Sequence, residues 1–149
     1  MSDVFARKVA QQVEKLQKYS LPEIEAEVTR KRLEWLDRKF PAGNDPSIHS
    51  PRQAYELLFF DYMGIDEHDL PVIEESADLI VWRSGNPCPT LEACLQLSMD
   101  TRIVCRAAYE KSTQAFLSRV DSRLQFQRSY SEIRPYGAYC LERIVRDNS

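Results

Sequence analysis

LIVWRSGNPCPT, residues 79–90, is the stretch where the sequence changes from helical to extended periodicity. Its first four residues are apolar, and two of them are β-branched, which is typical of a strand. Residues 84–87, Ser-Gly-Asn-Pro, form turns readily. Thr90 can then cap a short helix over about 91–97. The stretch therefore predicts a strand, a turn and a helix, with Cys88 held between two prolines before the helix.

Before this stretch, apolar residues recur at helical spacing. The pattern predicts a helix over residues 3–18 and a second over about 20–40, where Ser20 and Glu23 have capping-box spacing. A third helix is expected over about 50–63, because its Ser-Pro pair supplies an N-cap and a first helical residue. We expect the aromatic and aliphatic residues of the third helix to lie in the core: Tyr55, Leu58, Phe59 and Tyr62.

The segment from Asp61 to Asp78 contains seven acidic side chains and no lysine or arginine. Runs of like charge usually face water. We therefore expect a solvated acidic loop between the third helix and the first strand. The alternative is that this loop docks on the arginine-rich second half of the chain or on a basic partner.

The C-terminal part combines one long helical pattern with two extended ones. A helix is expected from Asp100 or Thr101 to about Val120. Residues 124–130 and 139–145 read as strands that pair in antiparallel fashion across the loop 134–137. Together these elements predict an α+β fold.

The predicted fold is a single domain over residues 1–149. Residues 1–63 form a helical segment, and residues 79–145 form a cysteine-bearing α+β segment. The second segment combines the long helix with a small antiparallel sheet of about three strands.

Composition limits the class of protein. The chain has 149 residues, 43% of them hydrophobic, and a net charge of −3. It has no run of 18 apolar residues, so we expect no membrane partner. Its net acidity repels phosphate groups, so we expect no nucleic-acid partner. With no apolar block of the signal-peptide kind, the sequence predicts a cytoplasmic protein.

Cys88 is the first candidate for chemistry. Flanking prolines restrict its backbone, and the predicted helix that follows favours a thiolate at its N-terminus. Cys88 could then act as a catalytic nucleophile or a capture thiol. The two histidines, His49 and His68, are distant in sequence, so no general base is identified.

A metal centre is an alternative use of the cysteines. Thiolates bind zinc and iron–sulfur clusters, and four thiols make a full ligand set: Cys88, Cys94, Cys105 and Cys140. The gaps between them contain 5, 10 and 34 residues, whereas structural zinc sites use closely spaced pairs. The four ligands would have to converge through tertiary folding. As a third interpretation, Cys94 and Cys105 are simply small buried side chains.

Arginines surround the cysteine-bearing elements and can chelate a carboxylate through two nitrogens. Arg134 lies in the loop between two predicted strands, and Arg102 lies at the start of the long helix. Both are candidate ligand-binding residues. A salt bridge from Arg134 to Glu132 or Glu142 is the competing interpretation.

Three short patterns extend the argument: Cys88-Pro89, Cys105 on the long helix, and Gly137-x-x-Cys140 in the last strand. Through these three patterns, residues 79–145 resemble the L-2-amino-thiazoline-4-carboxylic acid hydrolase-like domains. The resemblance implies a small α+β domain with a pocket for a sulfur-containing or carboxylate ligand, and hydrolytic opening of a thiazoline ring. It also implies that Cys88, Cys140 and Cys105 are pocket residues.

The sequence thus predicts a cysteine-centred domain that binds a small carboxylate or thiol-derived molecule, with hydrolysis as the expected reaction if it is an enzyme. One alternative is a protein with an iron–sulfur cluster or zinc as cofactor. A second is a non-catalytic interaction module that uses the aromatic third helix and the acidic segment. Whether the chain is an enzyme and whether it forms a homo-oligomer are left open.

Overall fold

Serine side chains cap the N-termini of the first two helices. The computed structural model describes residues 2–148, and its first helix is α1 (Asp3–Lys18), where Ser2 Oγ accepts a hydrogen bond from the Phe5 amide at 3.1 Å. The second, α2 (Leu21–Lys39), begins with the predicted capping box. Ser20 Oγ accepts from the Glu23 amide at 3.2 Å, and Glu23 Oε1 accepts from the Ser20 amide at 3.0 Å. Local capping therefore sets both starts.

The third helix has the predicted extent but an unexpected interior. α3 (Pro51–Tyr55) continues as a π-helical segment, Glu56–Tyr62, which we call the first π segment. Three consecutive side chains, Leu57, Leu58 and Phe59, are buried there. This helix thus turns a broad apolar surface toward the sheet.

Four antiparallel strands form one sheet in the order β1-β2-β4-β3. They are β1 (Val72–Ser76), β2 (Leu79–Ser84), β3 (Leu124–Arg128) and β4 (Cys140–Arg146). The pairing of β3 with β4 confirms the predicted hairpin across residues 134–137.

We expected about three strands, and the sheet has four. β1 lies in the acidic segment that we expected to be a loop, and it pairs with β2 at the edge of the sheet. Most of its residues are exposed, including Glu74 and Glu75. An edge strand with both faces near water shows no apolar alternation, so its sequence resembles a loop.

The C-terminal helices begin at Cys88 and Asp100. α4 (Pro89–Leu97) has Cys88 as its N-cap, so the expectation that Thr90 caps this helix was wrong. Pro89 takes the first helical position, which moves the cap two residues further back, from Thr90 to Cys88. The long helix begins at Thr101, one of the two predicted starts, with Asp100 as its N-cap, and consists of α5 (Thr101–Cys105), the second π segment (Arg106–Glu110) and α6 (Lys111–Val120).

The helices cover one face of the sheet. Inward-facing strand residues, Ile80, Trp82, Leu124, Phe126 and Ile144, pack against the third helix and α6 in the main core. A second apolar cluster joins α1 and α2 to α4 and the long helix, with Cys94 fully buried in it. Within residues 2–148 no helix combines the length and the apolar character needed to cross a membrane. This arrangement places the cysteine-bearing elements beside the C-terminal end of β2.

We expect Tyr55→Phe to destabilise the protein by about 1–3 kcal/mol, because it removes the hydroxyl that donates to the buried Leu70 carbonyl and leaves that carbonyl unsatisfied. The two oxygens are 2.6 Å apart. Urea unfolding measures the change. Tyr19→Phe is the matched control, since 43% of Tyr19 is exposed. Equal unfolding free energies for the two variants would contradict the prediction.

Candidate functional site

Cys88, predicted as the catalytic thiol, faces inward at the start of α4. Its Sγ accepts a hydrogen bond from the Leu91 amide at 3.5 Å. Burial raises the pKa of the Cys88 thiol, while the Leu91 amide and the Arg134 guanidinium act in the opposite direction with smaller effect. The thiol is therefore protonated at neutral pH in this structure, despite its place at a helix N-terminus.

Arg134 and Cys140, two of the predicted ligand-binding residues, lie near Cys88 at this position. The Arg134 amide donates to Cys140 Sγ at 3.4 Å, and Arg134 Nη1 donates to the Asn86 carbonyl at 2.8 Å. The Cys140 thiol is close enough to act on the pKa of Cys88. A Cβ on Gly137 would lie 3.4 Å from the Glu132 Cα, which is tighter than most such contacts. The loop between β3 and β4 thus folds closely and ties itself to the turn before α4.

Arg102, the second predicted ligand-binding arginine, contacts Asp100 and Tyr136 and not Cys88. Its guanidinium forms a bidentate ion pair with Asp100, with one contact at 2.8 Å, and stacks over the Tyr136 ring at 3.9 Å. The side chain is half-exposed. Arg102 therefore stabilises the start of the long helix and is not part of the site that Arg134 joins.

The four thiols face one region without forming a metal site. Burial raises the pKa of Cys94 to about 11 and that of Cys105 to about 12, and each is influenced by neighbouring thiols. All four cysteines are free. Among residues 2–148, no group of three or more His, Cys, Asp or Glu side chains is placed to hold a metal ion. The donor set does not fit zinc or an iron–sulfur cluster, which need converging thiolates.

A buried ion pair lies beside the thiols. Arg128 Nη2 donates to Glu142 Oε2 at 2.8 Å, and Glu142 Oε1 accepts from Ser84 Oγ at 2.5 Å. Burial opposes the charge on Arg128, but Glu142, together with smaller effects of Cys105 and Tyr130, outweighs it, so the pKa of Arg128 is raised. Glu142 therefore pairs with Arg128, not with Arg134.

Sequence reasoning did not identify Arg128 as a site residue. A signal was present, because residues 124, 126 and 128 alternate toward the same face of β3. Leu124 and Phe126 are buried there, and the third inward-facing residue of the strand is Arg128. A charged residue in an inward strand position indicates a buried partner or ligand.

Three buried donors around the thiols have no hydrogen-bond partner: Arg128 Nη1, the Tyr130 hydroxyl and Arg134 Nε. Arg128 lies within hydrogen-bonding reach of the Tyr130 hydroxyl, although not in good hydrogen-bond geometry, and Arg128 and Cys105 both influence the pKa of Tyr130. The Arg106 guanidinium stacks over the Tyr130 ring at 4.2 Å. We name the set Cys88, Cys105, Cys140, Arg128, Tyr130 and Arg134 the thiol–arginine cluster.

The second π segment borders this cluster. Cys105 precedes it, and Tyr109 within it has a hydroxyl that accepts a hydrogen bond from Gln12 Nε2. Burial raises the pKa of Tyr109, and Cys105 and Cys88 influence it further. Single π turns in helices occur frequently at functional sites. The wide turn here brings Tyr109 beside the thiols.

A surface groove of about 530 Å³ lies outside the turn that carries Cys88. Its walls are mainly apolar and include Val4, Phe5, Met63, Pro87 and Pro89. Asn86, whose carbonyl accepts from Arg134, also lines it. The turn that lines this side of the groove thus also carries Cys88 of the thiol–arginine cluster.

We expect Glu142→Gln to destabilise the protein by about 3–5 kcal/mol, because it leaves the Arg128 charge buried without a counter-charge. Urea unfolding provides the measurement, and exposed Glu132→Gln is the control. Replacing both partners, as Arg128→Met with Glu142→Leu, should recover much of the loss. A Glu142→Gln protein as stable as its control would show that the pair is unimportant.

Stability should fall as the pH rises above about 9, because the folded state keeps the Cys105 proton that the unfolded chain releases. The pKa of Cys105 rises from the ordinary 9.0 to about 12, so its contribution is complete below pH 9 and decreases between pH 9 and 12. The slope for one thiol reaches about 1.4 kcal/mol per pH unit. Unfolding in urea at pH 8, 9 and 10 with a reductant should show a shallower decline for Cys105→Ala. Parallel curves would refute this.

Comparisons with known proteins add no assignment to this geometry. Neither the models of known protein families, nor curated proteins, nor solved structures give a match for this chain. The resemblance of residues 79–145 to thiazoline-carboxylate hydrolase-like domains stays an expectation. The function of this chain is therefore inferred from the side chains of the thiol–arginine cluster.

Proposed function

We propose that this chain binds a small carboxylate-bearing molecule in the thiol–arginine cluster. The observation that carries the proposal is the trio of buried, unpartnered donors, Arg128 Nη1, Tyr130 Oη and Arg134 Nε. A buried donor without a partner costs about 1–3 kcal/mol, so three around one group of thiols indicate a missing acceptor. A carboxylate offers two oxygens with four acceptor positions.

The thiols favour a ligand that also contains sulfur or another polarisable group. Cys88, Cys105 and Cys140 present soft, weakly polar surfaces beside the donors. Their region is half-buried, so a ligand there would lose most of its water. A small amino-acid-like carboxylate with a sulfur atom, such as a thiazoline carboxylate, matches both parts of the cluster.

The proposal concerns binding and makes no claim of turnover. Burial keeps the Cys88 thiol protonated at neutral pH, which opposes its use as a nucleophile without a base. His49 contacts the Arg146 guanidinium, with His49 Nδ1 3.0 Å from Arg146 Nη1. His68 lies in the short helical turn Glu67–Asp69 before β1. Hydrolysis of a thiazoline ring is therefore the reaction to test after binding is measured.

The interaction-module alternative has less support. That alternative needs an exposed aromatic surface on the third helix. Tyr55 and Phe59 are instead buried against Trp82, and their ring centroids lie 4.9 and 5.1 Å from the Trp82 ring centroid. These rings form the core and are not available to a partner.

Titration calorimetry with L-2-aminothiazoline-4-carboxylate should show binding that 2-aminothiazoline, which lacks the carboxylate, does not. Tyr130→Phe should weaken it about tenfold and Arg134→Gln about 10–100-fold, as expected for one neutral and one charged hydrogen bond. Arg102→Gln is the matched control and should bind like the unmodified chain. Mass spectrometry of the same mixtures detects any product formed by addition of water.

Two results would contradict the proposal. One is equal binding of the two thiazolines, which would remove the carboxylate from recognition. The other is equal weakening by Arg134→Gln and Arg102→Gln, which would indicate an indirect effect on the fold. L-cysteine tested in parallel extends the comparison to an open-chain carboxylate with a thiol.

A further inference from the structure

Arg32 is a buried guanidinium on the apolar face of α2. It lies one turn from Val28 and one turn from Leu36, and 5% of the residue is exposed. Arg32 Nη1 donates to Thr113 Oγ1 on α6 at 2.9 Å. Its Nε is buried and has no hydrogen-bond partner. The thiol–arginine cluster does not include Arg32, and the proposed function does not use it.

The charge on Arg32 has no counter-charge. Within the described part of the chain, no carboxylate oxygen lies within 4.0 Å of its guanidinium. Glu142, the buried carboxylate of the sheet, is engaged by Arg128. Burial is the main cause that lowers the pKa of Arg32, and the nearby charge of Arg128 lowers it further. An unpaired buried ion is costly, and a guanidinium does not escape that cost by losing its proton near neutral pH.

The surroundings of Arg32 suit an anion of limited size. Tyr62 and Tyr109 both lie close enough to influence its pKa, and the Tyr62 hydroxyl is also within hydrogen-bonding reach of the guanidinium. The Tyr62 ring packs edge-on against Trp35 at 5.2 Å and at a tilt against Phe116 at 6.0 Å, which makes an aromatic wall. Thr113 Oγ1 in turn donates to the Tyr109 carbonyl and fixes the engaged end of the guanidinium.

The position of the unpartnered nitrogen indicates the shape of the anion. Nε and the neighbouring Nη2 form the edge through which a guanidinium chelates a planar group with two oxygens. Nη1, at the other end, is engaged by Thr113. A planar oxyanion places one oxygen against each of two parallel N–H groups, which matches this edge better than a single round ion such as chloride.

We propose that Arg32 forms an interior site for a small planar oxyanion, between α2, the end of the first π segment and α6. The oxyanion is a carboxylate or an inorganic ion of the same shape, such as nitrate or bicarbonate. It accepts from the Nε edge of Arg32, and the Tyr62 hydroxyl is a neighbouring donor. This site lies outside the thiol–arginine cluster, although Arg128 of that cluster is near enough for its charge to act on Arg32.

Thermal unfolding with sodium formate, acetate, nitrate or bicarbonate, each against sodium chloride at equal ionic strength and pH, tests the site. A planar oxyanion at tenfold excess over its Kd should raise the Tm by about 3–5 °C. The rise should persist in Arg30→Gln, a control on the exposed face of α2, and disappear in Arg32→Gln. Arg32→Lys keeps the charge but loses the chelating edge, so it should also lose the rise and serves if Arg32→Gln does not fold.

The anion series identifies the source of the oxyanion. A response to formate and acetate alone assigns the site to the carboxylate of an organic molecule, and a response to all four extends it to inorganic oxyanions. The inference is overturned if no anion exceeds chloride, or if Arg32→Gln or Arg32→Lys responds like the unmodified chain. Tyr130→Phe separates the two sites, because it should keep the formate response while thiazoline-carboxylate binding weakens.

Discussion

The ion pair between Arg128 and Glu142 is the interaction on which the interior depends. In the sheet register Glu142 lies opposite Trp82 on β2 and opposite Arg128 on β3. Ser84 Oγ, which accepts from Trp82 Nε1 at 3.1 Å, donates to the same carboxylate. Burying two charges is tolerated only when their remaining hydrogen-bonding capacity is largely used. This network therefore holds three strands in one register and brings a charge into the core beside the cysteines.

Around that pair the interior contains more guanidinium groups than carboxylates. Glu142 neutralises Arg128, while Arg134 is held by the Asn86 carbonyl and Arg32 by the Thr113 hydroxyl. Each of these arginines retains a buried nitrogen without a partner. Cores usually satisfy their polar atoms, so these repeated unsatisfied donors and the excess positive charge are the observations that support the two proposed anion sites.

Several features of the fold could be predicted because their causes are local. The capping box of Ser20 and Glu23 and the N-cap at Asp100 depend on residues within one helical turn. β1 was missed because an exposed edge strand has no apolar alternation. The wide turns of the two π segments were also missed, since a run of apolar residues such as 57–60 also fits a broad apolar face on an ordinary helix. Such turns depend on what the helix packs against, which is the sheet for the first π segment and α2 for the second.

The sequence by itself determined the α+β class, the extents of most helices and the position of Cys88 before a helix, because periodicity, caps and prolines act over short distances. Tertiary structure alone decided which charged residues are buried. Arg102 and Arg134 look equivalent in sequence, yet one is paired at the surface and the other reaches the Cys88 turn. Burial also keeps the thiols protonated where the local pattern favoured a thiolate. Desolvation depends on every element packed around a group, and that information is spread over the whole chain.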